Sequence, residues 1–246
     1  MLHFVTHGTP TDQPSLLIAH GLFGSARNWG VIAKRLSADR QVVVVDMRNH
    51  GESPWFETHT YQDMASDLAL VIDGSYDVLG HSMGGKAAMV LACENPSKVN
   101  RLIVADIAPV AYSHTQMGPI EAMRQVALPV ADRAAAKAQL AGLEPGVDDF
   151  LLQSLDLKAQ KWRLNLDVLT RDMPEIIGFP ALGTGFEGSC LFLSGAASDY
   201  VQPGHRAEIK RLFPAAKFAK IPGAGHWLHA EKPREFEAAV AAFLAM

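Results

Sequence analysis

Gly80-His81-Ser82-Met83-Gly84 reads G-x-S-x-G. An apolar run, Tyr76-Asp77-Val78-Leu79, precedes it, and a helix-forming run, Lys86-Ala87-Ala88-Met89-Val90-Leu91-Ala92, follows. Strand, tight turn with glycine on either side of a serine, then helix is the plan of a nucleophile elbow. Gly80 and Gly84 suit a reversal so sharp that neighbouring backbone leaves no room for a Cβ. Ser82 then stands at the apex with its Oγ exposed, at a helix N-terminus that favours negative charge developing beside it. The pentapeptide alone does not decide the matter, because on the order of 0.1 chance matches are expected in a chain of this length. The plainer alternative is a glycine-flanked N-cap serine.

Outward from the elbow, short apolar runs alternate with helical patterns. Residues 15–19 (Ser-Leu-Leu-Ile-Ala) read as a strand, and Trp29, Ile32, Ala33 and Leu36 follow at helical spacing. Residues 41–46 are rich in valine and do not alternate, which predicts a strand covered on both faces. Met64, Leu68, Val71 and Ile72 form the next helical stripe, and residues 101–106 the strand after the elbow helix. The pattern resumes with a strand at 190–194, a helix at 207–213, a strand at 217–221 and a closing helix at 233–244. This alternation predicts an α/β fold with a mostly parallel sheet flanked by helices.

Between the two halves no convincing strand is read from Val110 to Gly188. Helices are expected at 120–126, 132–141, 147–155 and 158–169, punctuated by Pro129, Pro145 and Pro174. A crossover needs only about a dozen residues, and this segment is far longer. The expected organisation is therefore a core of residues 1–108 and 189–246 with a helical cap insertion at 109–188. Such a cap lies over the carboxyl ends of the strands, where open α/β sheets bind ligands.

Bulk properties narrow the function classes. The 246 residues are 48% hydrophobic and 20% charged, with a formal charge of −4 and no block of like charge. No nucleic-acid or anionic-membrane partner is expected. No apolar stretch approaches the ~20 residues of a membrane span. The N-terminal residues lack the pattern of a secretory signal, and Cys93 and Cys190 sit in apolar contexts as reduced thiols, so a cytoplasmic location is expected. The ten histidines form no Cys/His cluster, and no metal is expected.

A serine nucleophile needs a base, an orienting acid and an oxyanion hole. The base candidate is His226 in Gly223-Ala224-Gly225-His226-Trp227-Leu228, a tight loop between the last strand and the last helix. The oxyanion-hole candidates are the backbone N–H of Leu22, in His20-Gly21-Leu22-Phe23-Gly24, and of Met83, the residue after the serine. His20 reads as a structural hydrogen-bonding residue. The acid has two candidates. In Gly195-Ala196-Ala197-Ser198-Asp199-Tyr200-Val201 the expected position falls on Ser198, which leaves Asp199 one residue late. Asp106, at the end of the preceding strand and at the same sheet edge as Ser82, is preferred, with Asp199 the alternative. Asp46-Met47-Arg48-Asn49-His50-Gly51-Glu52-Ser53 reads as a structural loop beside the site, since Asp46 precedes the serine. Phe23, Met83 and Trp227 are expected to line an apolar acyl pocket, closed by Trp162 from the cap.

Together, the strings at 20–25, 46–51, 80–86, 106–110 and 223–233 resemble the α/β-hydrolase superfamily, over nearly the whole chain outside the cap. The finer pattern is similar to the YbfF-type bacterial esterases and their mitochondrial abhydrolase relatives. The resemblance implies hydrolysis of carboxylic esters, extending to acyl thioesters such as acyl-CoA, with no cofactor. It also implies the acid at Asp106, and Asp199 stands where relatives tend to be uncharged. The alternatives are other chemistry of the same scaffold (carbon–carbon bond hydrolysis, perhydrolysis, acyl transfer) or a slow or non-catalytic ligand receptor.

Overall fold

Val42, Val43, Val44 and Val45 are all buried, as an unbroken β-branched run with both faces covered requires. The computed structural model describes residues 1–140 and 142–246. The first part of the chain forms β1 (Phe4–His7), β2 (Leu16–Ala19), α1 (Gly30–Leu36), β3 (Val42–Val45), α2 (Tyr61–Val71), β4 (Tyr76–His81), α3 (Met83–Glu94) and β5 (Val99–Ala105). Then come α4 (Met117–Gln125), α5 (Arg133–Lys137), α6 (Val147–Leu152), β6 (Leu155–Asp156), β7 (Lys161–Trp162), α7 (Leu166–Arg171) and α8 (Met173–Ile177). The chain closes with β8 (Ser189–Gly195), α9 (Arg206–Leu212), β9 (Ala216–Ile221), α10 (Leu228–Glu231) and α11 (Pro233–Leu244).

Seven strands form one sheet in the order β1-β3-β2-β4-β5-β8-β9. Only β1 runs antiparallel, against β3; every other pairing in this sheet is parallel. The side chains of β2, β4, β5 and β8 alternate between two hydrophobic layers. Leu16 and Ile18 of β2 join Ile32, Leu36, Phe236, Val240 and Phe243 from α1 and α11 on one face. Leu17 and Ala19 join Met64, Leu68, Ala88, Ile209 and Leu212 from α2, α3 and α9 on the other. Each fully buried Leu, Ile or Phe contributes about 1.5–3 kcal/mol. Parallel pairing puts the carboxyl ends of β2, β4, β5, β8 and β9 along one edge, so His20, Ser82, Asp106, Ser198 and His226 leave the sheet on the same side.

The elements between β5 and β8 depart from the sequence pattern. The stretch 158–169, expected as one helix, makes β7 and then α7 instead. Lys161 and Trp162 pair antiparallel with Asp156 and Leu155, after a turn in which Gln160 has φ of 52°. Positive φ cannot continue a right-handed helix. Asn165 starts the next helix by accepting the Val168 N–H. Trp162, Leu166 and Leu169 keep helical spacing across this break, and that is what misleads a periodicity reading. The helix expected at 147–155 ends at Leu152 because Leu155 is taken by the hairpin. The helix expected at 132–141 begins as foreseen, with the Asp132 side chain accepting the Ala135 N–H at 2.8 Å, and runs to Lys137; its last expected residue, Ala141, lies outside the described residues. The hairpin is tied to the loop after β3. Gly51 N–H donates to Arg163 O at 2.8 Å, and Asn165 N–H to Asn49 O at 3.0 Å.

Candidate active site

Ser82 sits between β4 and α3 with φ of 52° and ψ of −119°, a backbone conformation that non-glycine residues rarely adopt. The glycines explain how the turn closes. A Cβ on Gly80 would run into the Gly84 carbonyl, and one on Gly84 into the carbonyls of Ala19 and His20. The half-buried Ser82 is thus the side chain left at the tip of the turn.

The Ser82 hydroxyl donates to His226 Nε2 at 3.1 Å. His226 Nδ1–H donates to Asp106 Oδ2 at 2.8 Å. An ionised carboxylate only accepts, so this pairing fixes the proton on Nδ1 and leaves Nε2 free to accept. Asp106 has φ of 51° and no solvent exposure. Its Oδ1 accepts the Gly195 N–H at 3.0 Å, and its Oδ2 also accepts the Ser198 hydroxyl. Ser198, at the register position expected for an acid, therefore meets the carboxylate of Asp106. Asp199 is exposed and makes no hydrogen bond to His226. Behind the imidazole, His81 Nε2–H donates to the His226 carbonyl at 2.9 Å, and burial holds His81 well below the ordinary histidine range.

The Leu22 and Met83 N–H groups have no hydrogen-bond partner among the described residues, whereas those of Phe23, Gly24 and Ser82 do. Gly24 N–H closes a tight turn onto Gly21 O at 3.0 Å, and Phe23, with φ of 64°, donates its N–H to His50 Nε2 at 3.1 Å. His20 bridges the turn by donating Nδ1–H to Gly21 O at 2.7 Å and accepting the Met47 N–H on Nε2 at 2.9 Å. Burial lowers the pKa of both His20 and His50, which keeps them neutral and able to accept. Asp46 does what a structural role requires: its carboxylate accepts the N–H groups of Ala26 and Glu52 at 2.7 and 2.9 Å.

Phe23 and Met83 are buried in the same apolar layer, and Met83 Sδ accepts His59 Nε2–H at 3.2 Å. Trp227 is half-buried and meets Phe150 of α6, with ring centroids 5.4 Å apart. Trp162 packs inside the segment between β5 and β8, its indole N–H donating to Met123 O at 3.0 Å. Three groups near the serine have no role that the sequence pattern assigns: Lys86, Tyr112 and Tyr200. The run Gly85-Lys86 is visible in the sequence, but no spacing rule marks a lysine that folds inward.

The alpha/beta hydrolase family profile matches residues 16–239. The chain belongs to this family. The mouse sn-1-specific diacylglycerol lipase ABHD11 is 41% identical over 249 residues, covering 94% of this chain and 81% of that protein. Esterase YbfF of Escherichia coli K12 is 37% identical over 230 residues, covering 90% and 89%. Among solved structures, a marine microorganism esterase superposes with a TM-score of 0.92 at 36% identity, covering 98% of both chains. No helix among the described residues is long and apolar enough to cross a membrane.

Proposed function

We propose that this carboxylesterase-type hydrolase cleaves small-molecule carboxylic esters through an acyl-enzyme on Ser82. The observation that carries the reading is the unbroken line Ser82 Oγ, His226 Nε2, His226 Nδ1, Asp106 Oδ2, with links of 3.1 and 2.8 Å. His226 takes the Ser82 proton as Oγ attacks the acyl carbonyl. The N–H groups of Leu22 and Met83 receive the oxyanion, and the N-terminal end of α3 adds to its stabilisation. Protonated His226 then gives its proton to the departing alcohol. Water, deprotonated by the same imidazole, cleaves the acyl-enzyme. Asp106 holds the imidazole tautomer and offsets its positive charge.

Acyl thioesters fit the same attack, since the leaving thiolate asks less of the acid step than an alkoxide. Residues 109–188 act as a cap, with Phe23, Met83, Trp227 and Phe150 forming the apolar wall near the serine. Trp162 supports that wall from within the cap. A cytoplasmic setting accords with the two free, buried cysteines.

The test is labelling with a fluorophosphonate, followed by hydrolysis of p-nitrophenyl esters and acyl-CoA thioesters of graded length. The native protein should label and turn over esters, and Ser82→Ala should do neither. A native protein that fails to label would remove the acyl-enzyme reading.

A further inference from the structure

The loop leaving β8 brings two groups to the site. The Ser198 hydroxyl donates a hydrogen bond to Asp106 and accepts one from the Tyr200 N–H at 3.3 Å. Tyr200 lies flat on the His226 imidazole, with ring centroids 3.8 Å apart and planes inclined by 17°. Tyr112 fixes the other side. Its hydroxyl donates to Tyr200 O at 2.7 Å and accepts the Ala108 N–H at 2.9 Å, and its ring centroid is 5.3 Å from that of Tyr200. Tyr112 is itself held by its N–H on Ile177 O at 2.9 Å, and Lys86 Nζ lies 4.7 Å from its ring centroid. The Tyr200 ring is thus anchored, through its own backbone and Ser198, to the carboxylate that meets the imidazole.

We propose that Tyr200 is a positioning residue for His226: its π face stabilises the imidazolium that forms when Ser82 gives up its proton, and its bulk keeps the ring in line between Asp106 and Ser82. The proposal rests on the reading of His226 as the base. An aromatic face carries negative quadrupole density, so it attracts a cation more strongly than a neutral ring. The imidazole that accepts the Ser82 proton becomes a cation only as the reaction proceeds, and interactions that strengthen only in the transition state raise the rate. Burial and the nearby Asp199 push the Tyr200 phenol up to about 12, so the ring is a neutral phenol throughout the working range. Its hydroxyl has no hydrogen-bond partner among the described residues, which assigns the contact to the ring.

The other groups facing the imidazole leave this role open. Asp106 meets it from the end of β5 and Ser82 from the elbow. His81 lies 4.9 Å away between ring centroids, and His229 of α10 stands behind His81; burial keeps both neutral, His229 at about 3. Asp199 is exposed, and His114, whose pKa burial lowers, has its ring centroid 5.0 Å from that of Tyr200.

The experiment follows kcat and KM for a p-nitrophenyl ester against pH in Tyr200→Phe, Tyr200→Leu and a pentafluorophenylalanine replacement of Tyr200. Tyr200→Phe should stay within about twofold of the parent. Tyr200→Leu should lose about two- to fivefold in kcat, with KM moving less, and its acid limb should shift to lower pH by about half a unit. Pentafluorophenylalanine keeps the ring's shape and inverts its quadrupole, so its acid limb should move the same way; it also covers the case in which Tyr200→Leu folds poorly. An acid limb that stays fixed or moves up in both overturns the proposal and leaves Tyr200 as a packing group. His226→Gln separates the two readings. If that variant remains active, the assignment of the base fails. If it is inert while the Tyr200 variants match the parent, only the role of Tyr200 fails.

Discussion

The Asp106 carboxylate is wholly buried yet accepts three hydrogen bonds, from Gly195 N–H, the Ser198 hydroxyl and His226 Nδ1–H. A buried charge is tolerable when its lone pairs are satisfied this fully. Asp199 has no such shell: it is exposed and makes no hydrogen bond to His226. Asp106→Asn should therefore lower kcat by up to about 10⁴, because an amide can hold the wrong imidazole tautomer. Asp199→Asn should stay within about threefold, as expected of an exposed carboxylate outside the relay. The two are to be assayed side by side on one ester, and a large loss confined to Asp199→Asn would reverse the assignment. The serine, the histidine and both acid candidates are legible in the sequence, since each follows a recognisable strand. Register and sheet edge favour Asp106 over Asp199, but the local geometry that turns its carboxylate to the imidazole is not legible, because it depends on the positive φ of Asp106 and on how the β8 loop folds back.

At the scale of elements, the elbow closes because β4 and α3 approach too closely for side chains. Gly80→Ala would drive a Cβ into the Gly84 carbonyl, where neither backbone segment can yield cheaply. Overpacking of this kind costs about 1–3 kcal/mol or more. The urea midpoint of Gly80→Ala should fall accordingly, and ester turnover should drop with it as Ser82 shifts. A variant with parental stability and activity would show that the turn has slack. The glycines, the parallel strands and their helices are readable because local pattern and final fold agree. The β6–β7 hairpin is not: its two-residue strands leave no periodic trace, and the Trp162, Leu166 and Leu169 spacing imitates a helix. The edge strand β1 is silent for a related reason, since Phe4, Val5 and Thr6 are exposed and show no apolar alternation.

At the scale of the molecule, one buried amine links the elbow helix to the segment between β5 and β8. Lys86, on α3, donates from Nζ to Ile177 O at 3.0 Å and to Gly178 O, beside the rings of Tyr112 and Tyr61. Tyr61 adds a hydroxyl bond to Ile176 O at 2.6 Å. No carboxylate pairs with the Lys86 ammonium among the described residues, and burial pushes it from its ordinary 10.5 to about 7. The sign of the consequence follows from proton counts. Between about pH 7 and 10.5 the unfolded chain holds a proton on Lys86 that the folded chain has released, so stability from this group rises with pH. Below about pH 7 both states are protonated and the contribution is level. Lys86→Met roughly keeps the volume and removes the titration. The difference in unfolding free energy between the parent and Lys86→Met should therefore move in the parent's favour from about pH 7 to about pH 10, by at most about 1.4 kcal/mol per pH unit. Urea titrations in roughly one-unit steps from about pH 6 to about pH 10 would measure it. A difference that stays flat across that range would mean the carbonyls and aromatic faces hold the ammonium charged in the fold, and the link between α3 and residues 177–178 would then be a permanent cation.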